Sequence, residues 1–275
     1  MYNGEKIGVG VVTCNRKVNC GKILSFLRTV YYIDCITLVK NREYDYGEVV
    51  EDLDERTRYF NIKEDLGVGY CKNVIFKNLM SRGCDHIFTI EDDTIIKDGD
   101  VFKKYIDTAR HFNMEHLVFG YGSGGSALHE FNEEAAKPIC TLGYDGMKID
   151  FYHHIQGAFC YYTRNSLEMI GLMDAKNYIN AVEHIEHTYR LIKAGYYSMF
   201  WAFADINDST KYLGHDHSGA EYATTIDRDN DLYKQRVDHA YRHFFDVYHI
   251  GFGQMPFPSK EDIQSFMIKR LNGDD

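Results

Sequence analysis

The sequence predicts an α/β fold in which a mostly parallel sheet is flanked by helices. Short β-branched runs alternate with helix-periodic segments over the first 122 residues, and a βαβα order of this kind requires parallel strands joined by crossover helices. The strand runs are continuously apolar rather than alternating, as in strands covered on both faces. A chain of 275 residues with 44% hydrophobic and 26% charged residues is long and apolar enough for one large core.

The first run is KIGVGVVTC, residues 6–14, where Gly8 and Gly10 allow a neighbour to pack closely. A polar loop, NRKVNCG, leads to a helix around 20–32 with Ile23, Leu24, Leu27 and Val30 on one face. Residues 35–40 are a second strand. The charged stretch YGEVVEDLDERTR leaves helix and irregular structure both open. A third strand is expected at 59–64, a helix at 68–82 carrying Val74, Ile75, Leu79 and Met80, and a strand at DHIFTIEDD, 85–93. An amphipathic helix at 99–112 and a strand at 116–122 close the regular part.

The second half is mixed. It reads as a Gly/Ser-rich loop at 122–137, strands around 138–143 and 157–162, and helices at 164–171 and 182–194. A strand at 196–206, a polar loop at 213–231 and a helix at 231–249 follow. Neither a repeat nor a linker divides the chain, so a single domain over 1–275 ending in a helical tail is expected.

Composition narrows the function. A net charge of −10 argues against a long nucleic-acid footprint driven by counterion release. The seven cysteines, at 14, 20, 35, 71, 84, 140 and 160, are odd in number and show no C-x-x-C spacing, which reads as reduced thiols in a cytoplasmic protein. The N-terminus, MYNGEKIGVGVVTCNR, has only a short apolar run and is not a signal peptide. No apolar stretch approaches the roughly 18 residues of a membrane span. The 22 Tyr and 17 Phe have core packing as their default use, with sugar-stacking walls as the alternative.

Chemistry concentrates at FTIEDDTII, where an apolar strand breaks into Glu91, Asp92 and Asp93. Three adjacent carboxylates make a hard, oxygen-rich site suited to Mg2+ or Mn2+, above all when phosphate oxygens complete the octahedron. An acidic surface turn is the bland alternative. Ligands of open α/β sheets bind outside the carboxyl ends of the strands, so this tip and the Thr13–Arg16 loop are expected to face one crevice.

In VEHIEHTYRLIKAG, Val182, Ile185, Tyr189 and Ile192 recur at helical spacing and are expected to face the core. Glu183, His184, Glu186, His187 and Arg190 fall on the remaining surface, and Gly195 is a C-terminal cap. This is either a solvated charged face or an acid/base cluster in which His184 accepts a proton near neutral pH. His215 and His217 stand two apart in GHDHS and can converge on one metal; His153 and His154 are a second pair. The H-E-x-x-H order of zinc proteases is absent. Gly67 and Gly69 give half of a dinucleotide loop.

Taken in order, these segments resemble a family 2 glycosyltransferase with the GT-A fold, over residues 6–205 and into the tail. The motifs are VVTCNR (11–16), KN (40–41), DLGVGYCKN (65–73), EDD (91–93) and Glu183, His184, Glu186, Arg190 and Gly195 in the register E-D-x-D-x-x-x-R-x-x-x-x-G. Lys72 replaces the usual Arg, Glu91 the first Asp of D-x-D, and His184 the Asp used as catalytic base. The segment 157–174 resembles the acceptor side, and VYHIGFGQMPFP resembles a closing element of galactosyltransferase-like members.

The resemblance implies a nucleotide-binding half at 1–122, an acceptor-side half at 123–230 and a helical tail at 231–275. It implies donor binding by Thr13, Asn15, Arg16, Asn41, Lys72, Asn73 and Asp92. It places Mn2+ or Mg2+ on Asp93 with Glu91 or Asp92, completed by His215 or His217, and makes His184 or Glu183 the base. The donor is expected to be UDP-linked, the transfer to be inverting, and the loops at 122–126 and 213–231 to act as lids. The acceptor is a glycan, a lipid-linked sugar or a modified nucleic-acid base such as occurs in phage DNA. Competing readings are a nucleotidyltransferase, a metal-dependent hydrolase and a non-catalytic nucleotide- or glycan-binding relative.

Overall fold

The structure is a computed structural model that describes residues 1–42, 47–51, 53–120, 137–153, 157–195, 203–216, 230–251 and 258–273. Four parallel strands occupy its first part: β1 Ile7–Thr13, β2 Cys35–Asn41, β3 Thr57–Ile62 and β4 His86–Glu91. Every residue of β1 and β2 is buried, which explains their continuous apolar runs. After β4 come β5 Thr94–Ile96, β6 His116–Val118, β7 Cys140–Tyr144, β8 Met147–Tyr152 and β9 Phe159–Thr163. The main sheet has the order β3-β2-β1-β4-β9-β6, and β9 alone runs against the rest.

The remaining strands are β10 Phe203–Ile206 and β11 Leu213–His215. They join two small antiparallel sheets, β10-β8-β7 and β11-β5. Neither β5 nor β8 was expected, and β11 begins within a stretch expected to be loop. Short strands of three to six residues carry too little periodicity to be read alone. Pairing with a partner makes them strands. Most of the expected strand at 196–206 and of the loops at 122–137 and 213–231 lies outside the described residues.

The helices are α1 Lys17–Thr29, α2 Gly47–Glu51, α3 Gly67–Ser81, α4 Val101–His111, α5 Arg164–Ile170, α6 Glu183–Lys193, α7 Asn230–Tyr248 and α8 Lys260–Asn272. α1 starts three residues earlier than its apolar face suggests, so the loop after β1 is only Cys14–Arg16. α8 opens on a capping box in which Ser259 and Asp262 satisfy each other's backbone.

The core fills with aromatic side chains. Phe88 packs edge-on against Phe102 at 5.0 Å between centroids, and Tyr105 and Phe159 also lie 5.0 Å apart. The helix-to-sheet contact is set by glycine: a methyl group built on Gly10 would sit 2.1 Å from Ile75 Cγ2, and one on Gly8 would sit 2.8 Å from Cys84 Sγ. α3 therefore lies directly on the backbone of β1. All seven cysteines are free. Among the described residues no helix is long and apolar enough to cross a membrane.

Gly10→Ala is expected to destabilise the fold by about 1–3 kcal/mol, the cost of overpacking a filled interior. Urea denaturation should show a lower midpoint at an unchanged slope.

Candidate active site

The strand order 3-2-1-4 reverses direction between β1 and β4, and a crevice opens at such a switch point. Val12 pairs with Glu91 in register, so the loop after β1 meets the carboxylate tip of β4. Each carboxylate there has its own compensation. Thr13 Oγ1 donates to Asp92 Oδ2 at 2.7 Å, and the Cys14 N–H adds a second bond at 3.2 Å. The Arg16 guanidinium lies 3.9 Å from Asp92 Oδ1 and 3.4 Å from Asp93 Oδ2. His215 Nε2 approaches Asp93 Oδ2 at 3.3 Å, delivered by the pairing of Thr94 with His215 between β5 and β11.

Glu91 is held differently. The Lys72 ammonium, fully buried, donates to Glu91 Oε1 at 2.6 Å and to the Gly157 carbonyl at 3.0 Å. Burial pulls Lys72 down most strongly, but the charges around it, Glu91 first and Glu183 among them, together with the Glu91 hydrogen bond outweigh burial, so Lys72 is held above its ordinary value. Burial and the charge of Asp93 push Asp92 up to about 7. Burial acts on Asp93 too, but the hydrogen bond and charge of His215, with Arg16, hold it below its usual range.

Of the residues expected to hold a metal, Glu91 is ion-paired to Lys72 at 2.6 Å. His217 lies outside the described residues, as does His154. Among the described residues no three His, Cys, Asp or Glu side chains converge as a cage. Asp93 and His215 stay together, and Asp93 Oδ1 is buried without a hydrogen-bond partner among the described residues. One carboxylate and one imidazole fit Mn2+ or Mg2+ that takes its other ligands from phosphate and water.

On the far side of Lys72 lies the N-terminus of α6. Val182 takes a left-handed backbone, φ 65°, a strained conformation for a β-branched residue. This turn sets Glu183 and His184 inward. Glu183 is buried, and its Oε1 lies 3.2 Å from His184 Nδ1. Burial would raise Glu183, yet the hydrogen bond and charge of His184 hold it below its ordinary value. His184 Nε2 is buried and has no hydrogen-bond partner among the described residues.

The expected facing of this helix is corrected. Glu183, Glu186 and His187 are buried, whereas Ile185 and Tyr189 are only partly so. Polar partners make that burial tolerable: Tyr248 and Arg190 donate to Glu186 at 2.6 and 3.2 Å, and His187 Nε2 meets the Gly171 carbonyl at 2.9 Å.

Of the expected donor residues, Thr13, Arg16 and Asp92 meet directly. Asn15 is in the same loop, with Oδ1 buried and without a hydrogen-bond partner among the described residues. Asn73 is spent elsewhere: its amide donates to the Met173 carbonyl at 2.8 Å and accepts the Met173 N–H at 2.9 Å. Asn41 ends β2 and donates to Asp65 Oδ1 at 3.3 Å. Sequence reasoning missed Asp65, which also accepts from Arg42 at 2.5 Å, Arg236 at 2.9 Å and Asn180 at 3.4 Å. It thus ties β2, α7 and the approach to α6 together. Its only sequence signal is its place at the head of DLGVGYCKN. Gly67 and Gly69 serve the same junction, Gly67 (φ +83°) against Asn180 and Gly69 against Glu183.

No protein-family profile matches the chain, and no curated protein matches it in sequence. Among solved structures it is similar to a mannosyltransferase from Pyrobaculum calidifontis in complex with GDP-Man and Mn2+. The TM-score is 0.54 at 11% identity, over 98% of this chain and 70% of that one. A mycobacterial protein matches with a TM-score of 0.49 at 12% identity, over 74% of this chain and 65% of that one. A cytidylyltransferase from Leptospira borgpetersenii matches with a TM-score of 0.40 at 11% identity, over 70% and 73%. At 11% identity the likeness to the mannosyltransferase establishes the fold alone, a GT-A-like α/β class as expected.

Arg42 and Arg236 outweigh burial and hold Asp65 down at about 2. A depressed carboxylate contributes stability above its unfolded value near 4, and loses it as pH falls through the folded value. Asp65→Asn is therefore expected to cost about 2 kcal/mol at pH 7. The gap from the wild type should narrow from about pH 4 toward about pH 2, as followed by chemical denaturation.

Proposed function

We propose that the chain is a metal-dependent, inverting glycosyltransferase that moves a hexose or pentose from a nucleotide sugar to an acceptor hydroxyl. The observation that carries this reading is the convergence of two chemistries on one sheet edge. Asp92, Asp93, Arg16 and His215 form a charge-compensated tip. Buried Glu183 and half-buried His184 form a dyad linked to that tip through Lys72 and Gly157. The neighbour of similar fold holds GDP-Man and Mn2+, which supports a nucleoside diphosphate sugar with a divalent metal. The sequence resemblance favours uracil as the donor base. In this reading residues 1–122 hold the donor, 123–230 face the acceptor, and 231–275 form a supporting tail. The acceptor classes are glycan, lipid-linked sugar and modified nucleic-acid base.

A divalent cation on Asp93, with His215 beside it, would neutralise charge on the departing diphosphate. Arg16, fixed by Asp92 and Asp93, stands where it adds a second positive charge. On the other side, the Glu183 carboxylate accepts from His184 Nδ1–H and so leaves the Nε2 lone pair for an acceptor proton. His184 takes the place of the expected Asp as base, and Glu183 orients it. As Nε2 takes the hydroxyl proton, the acceptor oxygen bonds to the anomeric carbon from the face opposite the diphosphate. The anomeric carbon–oxygen bond to the diphosphate breaks, and the nucleoside diphosphate leaves with the electron pair. One displacement inverts the configuration.

The first test is thermal unfolding with UDP, GDP and their sugars, with Mn2+ or with EDTA. A ligand at about 100 times its Kd adds about 2.7 kcal/mol, a shift of several degrees. A shift with one nucleotide that EDTA abolishes, and that Asp93→Asn lacks, is the expected result. No shift with any nucleotide, but one with Zn2+ alone, would instead favour a metal-dependent hydrolase. His184→Gln is expected to keep the nucleotide shift while lowering the transfer rate about 10²–10⁴-fold, the usual worth of a general base. Unchanged transfer would remove His184 from that role.

A further inference from the structure

We propose that Lys72 is a positioning residue that couples the carboxylate strand β4 to the His184 base, and is not a donor-binding group. The inference rests on the transferase reading for its functional consequence and on geometry for the coupling. Lys72 is 0% exposed, so its ammonium is closed off from a nucleotide in the crevice. Its protons go inward, to Glu91 Oε1 at 2.6 Å and to the Gly157 carbonyl at 3.0 Å.

Gly157 is the second half of the link. Its φ is +71°, and a methyl group built on it would lie 2.7 Å from His184 Cγ and 3.0 Å from Nδ1. The imidazole therefore rests on the α-carbon of the residue whose carbonyl Lys72 holds. One turn earlier on α3, a methyl group on Gly69 would meet Glu183 Cγ at 3.1 Å. A single helix thus touches both members of the dyad, Glu183 through Gly69 and His184 through Lys72 and Gly157. The charge of Lys72 also adds to the forces that hold Glu183 ionised, after the hydrogen bond and charge of His184. The buried cation fixes the place of the base and answers the charge of Glu91. Neither role requires contact with substrate.

The test compares the wild type with Lys72→Met and with Lys72→Met/Glu91→Gln. Removing one partner of a buried pair strands the other charge, whereas removing both is tolerated. Where the single variant fails to fold, the double variant is therefore the one read. The measurements are UDP and GDP affinity with Mn2+, transfer kinetics, and the side-chain ¹⁵N resonances of His184 without nucleotide. The expected result is a nucleotide Kd within about threefold of wild type, kcat lowered at least about tenfold, and displaced His184 resonances. A Kd raised about tenfold at unchanged kcat would overturn the proposal and make Lys72 a donor group. Wild-type kcat and undisturbed His184 resonances in the double variant would also overturn it, leaving Lys72 as a counter-charge for Glu91. If the wild type transfers no sugar, the transferase reading fails, and the His184 resonances still decide the coupling.

Discussion

Three carboxylates placed side by side at the end of a strand repel one another, and a partly dry crevice magnifies the repulsion. The organisation of this protein follows from how each of the three is answered. Glu91 receives a buried ammonium from α3, Asp92 a hydroxyl from the end of β1 and an amide from the loop after it, and Asp93 a guanidinium from that loop and an imidazole from β11. The partners come from three separate parts of the chain. The sheet edge cannot be assembled without the crossover helix, the β1 loop and the β5–β11 pair arriving together.

That convergence rests on close backbone approach. α3 lies on β1 because Gly8 and Gly10 present no side chain, and its first turn meets the start of α6 because Gly67 and Gly69 present none there. With α3 so placed, Lys72 reaches both β4 and Gly157. The strained turn at Val182 then aims Glu183 and His184 at the same region. Backbone strain of this kind persists only where surrounding contacts over-determine it. Here Asn180, just before the turn, caps the α3 backbone at Val68 at 2.9 Å and reaches Asp65.

The acid/base groups occupy distinct environments for the same reason. Asp92 is raised chiefly by burial and the charge of Asp93, whereas Glu183 is lowered by the imidazole and ammonium around it. A site whose carboxylates are pushed apart in this way can hold one group for charge and another for orientation.

The parallel order of the first half and the position of the carboxylate tip were legible in the sequence. Continuous β-branched runs and helix periodicity record burial directly, and a run of three acids after an apolar run marks where that strand ends. The chain alone did not show that Glu91 belongs to Lys72, that Asn73 is spent on the Met173 backbone, or that Asp65 joins β2 to α7. Those pairings link residues 19, 100 and up to 171 positions apart, and no local pattern encodes such a separation. Periodicity also misjudged α6, because it scores side chains by polarity while burial there is decided by available partners. Residue types determined which chemistry the protein carries. Tertiary structure alone decided which charges neutralise one another and which atoms remain for a ligand.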